Sequence, residues 1–157
     1  MISADDRTTA TRVPDSGAGN RSDIGYLLAK ASQHWNELLA EAFRLQGHGD
    51  VRPSYGSVLV PLFEQDGLRM SELAARSRLA KQTMTTMVRL VERAGLVQRR
   101  PDPDDARATR VELTARGRRF RPVAVRELAK LDQRIAARLG EPRTADLRAS
   151  LTQLIEA

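Results

Sequence analysis

The sequence predicts a mainly α-helical fold that carries one two-stranded β ribbon. Three observations predict it. Apolar residues recur at three- and four-residue steps through most of the chain. The stretch 96–114 breaks that rhythm, with two β-suited runs around a turn rich in Pro and Asp. Positive charge is concentrated around it: residues 76–126 hold 14 Arg or Lys against 5 Asp or Glu, whereas the rest of the chain holds 12 against 15.

At 157 residues the chain is expected to form one domain behind a tail at residues 1–22. Those first residues are polar, without periodicity, and read as disordered. The chain has no Cys, which excludes disulfides, thiolate metal sites and cysteine redox sensing. Two imidazoles, His34 and His48, are too few for a His-rich metal site, and no cofactor is expected. No apolar run approaches the ~18 residues of a membrane span, and the N-terminus lacks the apolar core of a signal peptide. The expectation is a cytoplasmic protein with no membrane contact. Asp102, Asp104 and Asp105 are the concentrated carboxylates, but no His or nucleophile lies near them in sequence, so an enzyme is not expected.

The elements follow in order. Ser22 or Asp23 can cap a helix from Ile24, in which Leu27, Leu28, Ala31, Trp35, Leu38, Leu39, Ala42 and Phe43 continue one stripe, ending near 47–49. That stripe is wider than one neighbour needs and hints at a partner chain. Pro53 suits the first turn of a second helix, 54–64, and Pro61 inside it is expected to kink its last turn or end it early. Ser71 is read as the cap of a short helix, 72–77. Residues 78–80 turn tightly into a helix over 81–94, with Met84, Met87, Val88 and Val91 inward and Gly95 as its stop. A hairpin follows, with Pro101 and Pro103 assigned to its loop because neither can donate to a ladder. Thr114 caps a helix to about Leu139, roughly 38 Å long and too long for a compact monomer to cover, with Pro122 near its start. Gly140 and Pro142 break it. Arg143 or Thr144 opens a last helix, with Leu147, Leu151, Leu154 and Ile155 expected to be buried.

Two short helices, a tight turn and a hairpin make a winged helix-turn-helix. The helix over 81–94 suits the major groove. Gln82, Thr86, Arg89 and Arg93 face outward, with Thr85 at the margin and Thr83 a further candidate contact, and Gln, Thr and Arg can read base edges. Lys81, at the first turn, is placed for a phosphate. Three threonines in four residues are poor helix formers, so stability alone does not explain that face. The basic wing strands add Arg99, and the wing tip adds Arg107 as a probe for the narrow, negative minor groove. Asp105, two residues earlier, can steady the Arg107 guanidinium. Taken without their neighbours, the two are an ordinary surface pair worth under ~1 kcal/mol.

These residues resemble a family. Met70-Ser-Glu-Leu-Ala-Ala, Leu79-Ala-Lys-Gln-Thr-Met-Thr, Val91-Glu-Arg-Ala-Gly-Leu-Val, Asp102-Pro-Asp-Asp-Ala-Arg and Val111-Glu-Leu-Thr-Ala-Arg-Gly are similar to the MarR family of bacterial transcription regulators. The likeness runs in order from about Ile24 to the C-terminus. It implies a winged-helix core at about 53–113 and an α-helical dimerisation arm from about 23–47 and 115–157, within a single domain at 23–157. It implies a homodimer, expected to be a repressor, that binds double-stranded DNA at near-palindromic half-sites. It also implies release by a small aromatic or anionic effector, for which Tyr26, His34, Trp35 and Tyr55 are the available contacts, although packing in the core or the dimer interface is the commoner role for each. Four positions depart from the family pattern: Ala80 replaces the usual Ser or Thr cap, at a cost of about 1 kcal/mol, Arg78 stands in a turn where Gly is common, and Pro61 and Pro122 fall inside helices, Pro122 being expected to bend the long helix near its start and so re-aim the wing. The competing function is a non-specific, architectural nucleic-acid-binding protein using the same basic surface.

Overall fold

The structure is a computed structural model, and it describes residues 21–156. The expected tail falls outside the described residues up to Asn20. The chain divides into two units, with the boundary between Gln33 and His34.

In the first unit, helix α1 (Ile24–Leu45) begins. Asp23 caps it, with Oδ1 accepting the Tyr26 amide at 3.2 Å. Ile24, Leu27 and Leu28, expected to face inward, are exposed.

In the second unit, α1 continues from His34 and buries Leu39 and Phe43. A 3-10 turn (Pro53–Tyr55) leads into α2 (Gly56–Glu64), followed by β1 (Leu68–Arg69), α3 (Met70–Arg76), α4 (Lys81–Arg93), β2 (Val97–Pro101), β3 (Thr109–Leu113), α5 (Ala115–Leu139) and α6 (Glu141–Glu156). The ribbon is thus one part of a three-stranded antiparallel sheet in the order β1-β3-β2. Leu68 pairs with Val111 and Arg69 with Arg110. Two residues of strand before α3 are too few to show a period, so β1 was not foreseen. Leu68, Val97, Val111 and Leu113 face the core formed by Val58, Leu62, Leu73, Met84, Val88, Val91 and Phe120.

Several expectations are corrected. Pro101 is the last residue of β2, opposite Thr109, where a missing amide costs nothing further along the ladder. Helix α3 starts at Met70; Ser71 is not its cap, and Glu72 instead reaches back to the Arg69 amide at 2.7 Å. Pro61 neither ends nor truncates α2. A proline there deprives the Ser57 carbonyl of its helical donor, and the Ser77 hydroxyl supplies one at 2.5 Å. Likewise α5 continues through Pro122, which is exposed, as is Arg118, whose carbonyl it leaves without a helical donor. Helix α6 opens at Glu141, with Pro142 in its first turn, where no amide is needed. Its Leu147, Leu151, Leu154 and Ile155 are exposed, because no element among the described residues covers that stripe.

Thr114 caps α5 as expected, accepting the Gly117 amide at 3.1 Å. The Leu96 carbonyl accepts the Thr114 amide at 3.0 Å, and a Cβ on Gly117 would stand 2.1 Å from that same oxygen. Only glycine lets the first turn of α5 lie this close to the entry of β2. No described helix is long and apolar enough to cross a membrane.

Candidate nucleic-acid interface

Helix α4 presents its inward stripe to the core, with Met84, Val88 and Val91 fully buried. The opposite face is open: Lys81, Gln82, Thr83, Thr86 and Arg89 are exposed and Thr85 is half-buried. Thr85 Oγ1 donates to the Lys81 carbonyl at 2.9 Å and Thr86 Oγ1 to the Gln82 carbonyl at 3.2 Å. These bonds fix both rotamers and leave the hydroxyl lone pairs available to an outside donor. Ala80 makes no side-chain cap. Arg78 adopts the left-handed backbone, φ 50°, so the turn keeps the geometry glycine would give it, at some steric cost.

The wing is set by aspartates. Asp105 Oδ1 accepts the Arg107 amide at 3.0 Å, and Arg107 Nε lies 3.5 Å from the same oxygen. The backbone bond fixes the turn. The side-chain contact is long and steadies Arg107 weakly, leaving its side chain 94% exposed. Asp102 has the larger role, and sequence reasoning missed it. Its side chain is fully buried. Oδ1 accepts the Asp104 amide at 2.9 Å, and Oδ2 takes Arg69 Nε at 2.5 Å. Arg110 Nε stands 3.1 Å away as an ion pair, out of line for a hydrogen bond. The Asp104 amide, more than the two arginines, holds the Asp102 carboxyl down at about 2, although burial pushes it up. Arg100 and Arg110 face each other across the hairpin, a repulsive pairing. Asp102 draws Arg110 inward, and Glu112 lies 3.4 Å from Arg100.

A groove of about 390 Å3 runs between the start of α3, the first turns of α4 and the wing. Arg69, Lys81, Arg99 and Arg107 bring four cations to its walls, beside Ser71 and Thr85. Of the foreseen residues, Lys81, Thr85, Arg99 and Arg107 therefore meet here. Gln82, Thr83, Thr86 and Arg89 lie on the open face of α4, and Asp105 supports the wing turn. Arg99 is oriented by Glu92, which takes its Nε at 3.0 Å and its amide at 3.2 Å. Arg69 was missed because it precedes a short helix and only the sheet pairing brings it to the wing. The Asp-Pro at 102–103, a turn-opening pair, was the one available signal for Asp102.

Two apolar hollows lie away from this face. One of about 170 Å3 sits among α1, the 3-10 turn, α2 and α5, walled by Trp35, Leu39, Phe43, Leu59, Phe63 and Phe120, with Asn36 and Arg52 as polar groups. The other, of about 680 Å3, lies between α1 and the second half of α5, beside His34, Trp35, Leu38, Ile135, Arg134 and Arg138. Trp35 is common to both. Tyr55 is core and lines neither. Tyr26 belongs to the first unit, exposed, with Lys30 Nζ 5.9 Å from its ring centre.

A model of the MarR family matches residues 53–109. An HTH-type transcriptional repressor of Mycobacterium bovis is 29% identical over 138 residues, 88% of this chain and 97% of the relative. Among solved structures, a probable transcriptional regulator from Pseudomonas aeruginosa matches with a TM-score of 0.73 and 27% identity, over 85% of this chain and 97% of that one. The PcaV transcriptional regulator from Streptomyces coelicolor, solved with its natural ligand, matches in fold with a TM-score of 0.74 and 22% identity, over 90% of this chain and 98% of that one.

Proposed function

Because the chain belongs to the MarR family of winged helix-turn-helix transcription regulators, we propose that it is a homodimeric repressor of a near-palindromic operator, relieved by a small aromatic anion. It is a DNA-binding protein and not an enzyme. The four-cation groove beside the open face of α4 carries the reading. Lys81 and Arg69 neutralise phosphates, the α4 face reads the major groove, and Arg107 enters the minor groove. Its place of action is the cytoplasm, where the DNA is.

Homodimerisation is supported by the uncovered stripe on α6. The effector reading is supported by the smaller hollow. At about 170 Å3 it is close to the ~150 Å3 that accommodates a single benzene ring. Arg52 at its wall is exposed and has no ion-pair partner among the described residues, so it is available to a carboxylate. PcaV, a protein of the same fold, was solved with a natural ligand.

The test is a titration at fixed salt. A duplex selected from a random library should bind at least ~10³-fold more tightly than its scrambled counterpart. Equal affinities would replace the repressor with a non-specific DNA-coating protein.

A further inference from the structure

We propose that Arg116 is the positioning residue that ties the wall of the smaller hollow to the C-terminal end of α4, so that a ring entering the hollow is felt at the DNA-reading helix. The effector half of this proposal rests on the reading of that hollow given above.

Arg116 lies in the first turn of α5, where the helix dipole disfavours a cation and no acidic residue offsets it. Its position is explained by what it holds. Nη2 bonds Asp50 Oδ1 at 2.9 Å and Oδ2 at 2.7 Å, and Nη1 bonds the carbonyl of Ala94, the C-cap residue of α4. A cation at that carbonyl is favoured by the α4 dipole. Asp50 directly precedes Val51, Arg52 and Pro53, three consecutive residues of the hollow's wall. One turn beyond Arg116, Phe120 forms another part of the wall. Its ring meets Phe43 edge-on at 5.0 Å and His48, from the same loop as Asp50, at 4.9 Å. The loop, the first turn of α5 and the end of α4 therefore meet at one guanidinium. The hollow accommodates the ring, and the ligand's carboxylate draws Arg52, two residues from Asp50, so binding shifts the loop. Asp50 moves with the loop and draws Arg116 from Ala94, loosening the last turn of α4.

Two experiments on the full chain decide the proposal. The first needs no ligand. Asp50→Asn should speed hydrogen exchange at the amides of Ala94, Gly95 and Leu96 at least fivefold, whereas Glu41→Gln, on the exposed face of α1, should leave them unchanged. Unchanged exchange in Asp50→Asn overturns the link. The second uses benzoate as probe, with calorimetry for its binding and fluorescence anisotropy for the selected duplex. Saturating benzoate should lower wild-type DNA affinity by a factor within the ~5- to 150-fold range of allosteric couplings. Arg116→Ala and Arg116→Lys should both bind benzoate within twofold of wild type and lose most of that factor. Lysine keeps the charge but not the two-armed fork, so its failure to restore coupling separates geometry from charge. Full coupling in both variants overturns the proposal. A wild-type protein that ignores benzoate refutes the effector reading for this probe, and the exchange result still decides the link.

Discussion

The Asp102 carboxylate is where the wing's geometry is decided. It gathers the Asp104 amide, Arg69 from the edge of the sheet and Arg110 from β3, and it is closed off from water. Its ionised form stabilises the fold at every pH above its unfolded value near ~4, and that contribution is lost as pH falls from there through about 2. Asp102→Asn should lower stability and DNA affinity at pH 7. Urea melts should show the stability gap between variant and wild type narrowing at pH 3; a gap equal at both pH values rejects the assignment. Arg107 and Lys81 differ in kind, although both line the groove. Arg107→Ala should weaken binding and relax preference at the operator edges. Lys81→Ala should weaken all duplexes alike and reduce the logarithmic salt slope by about one. Anisotropy titrations on operator and edge-altered duplexes at several salt concentrations separate the two. An unchanged affinity in Arg107→Ala removes the wing from the interface.

The elements stand where they do through a few close contacts, and the clearest is at Gly117. In an open helix Gly→Ala stabilises by about 1 kcal/mol. Here the added Cβ would meet the Leu96 carbonyl at 2.1 Å, a backbone atom that cannot swing away. Gly117→Ala should therefore destabilise, by about 1–3 kcal/mol, with the hairpin pushed off the start of α5. Thermal melts give the sign, and stabilisation would show that the two segments are free to part. The sequence carried half of this motif legibly, because Thr114 ahead of a helical period is a local cap signal, whereas the approach of Gly117 to Leu96 has no local mark. It carried α4 well, since thirteen residues are enough to display a period. What it hid were the arrangements that depend on distant partners. Pro61 reads as a helix breaker until Ser77, just past the end of α3, is seen to supply the missing donor. Asp102 reads as a loop carboxylate until Arg69 arrives through a two-residue strand. The α4 side of the groove was foreseen because one helix face holds it. The α3 side was not, because only tertiary pairing brings it there.

For the whole molecule the uncovered apolar surface has the largest consequence. Leu147, Leu151, Leu154 and Ile155 fall at helical spacing on α6, and Ile155 remains 65% exposed. Their burial was expected from periodicity, which reports that a stripe will be covered but not by which chain. Leaving four such side chains in water forgoes about 25 cal/mol for every Å2 of apolar surface they could bury, a standing drive toward association. A second copy would satisfy it and also give the regulator two groove-and-wing sites, one for each half of a near-palindrome. The double substitution Leu151→Glu, Leu154→Glu places charge on that stripe without touching the core around Val88 and Phe120. Sedimentation should show a dimer for wild type and a monomer for the variant, with the helical circular dichroism signal retained. Loss of the paired site should cost 10²- to 10⁴-fold in affinity for the full operator. Binding to an isolated half-site should change little, because α4 and the wing are untouched. A variant that stays dimeric, or a wild type that sediments as a monomer at micromolar concentration, would move the dimer contact off α6.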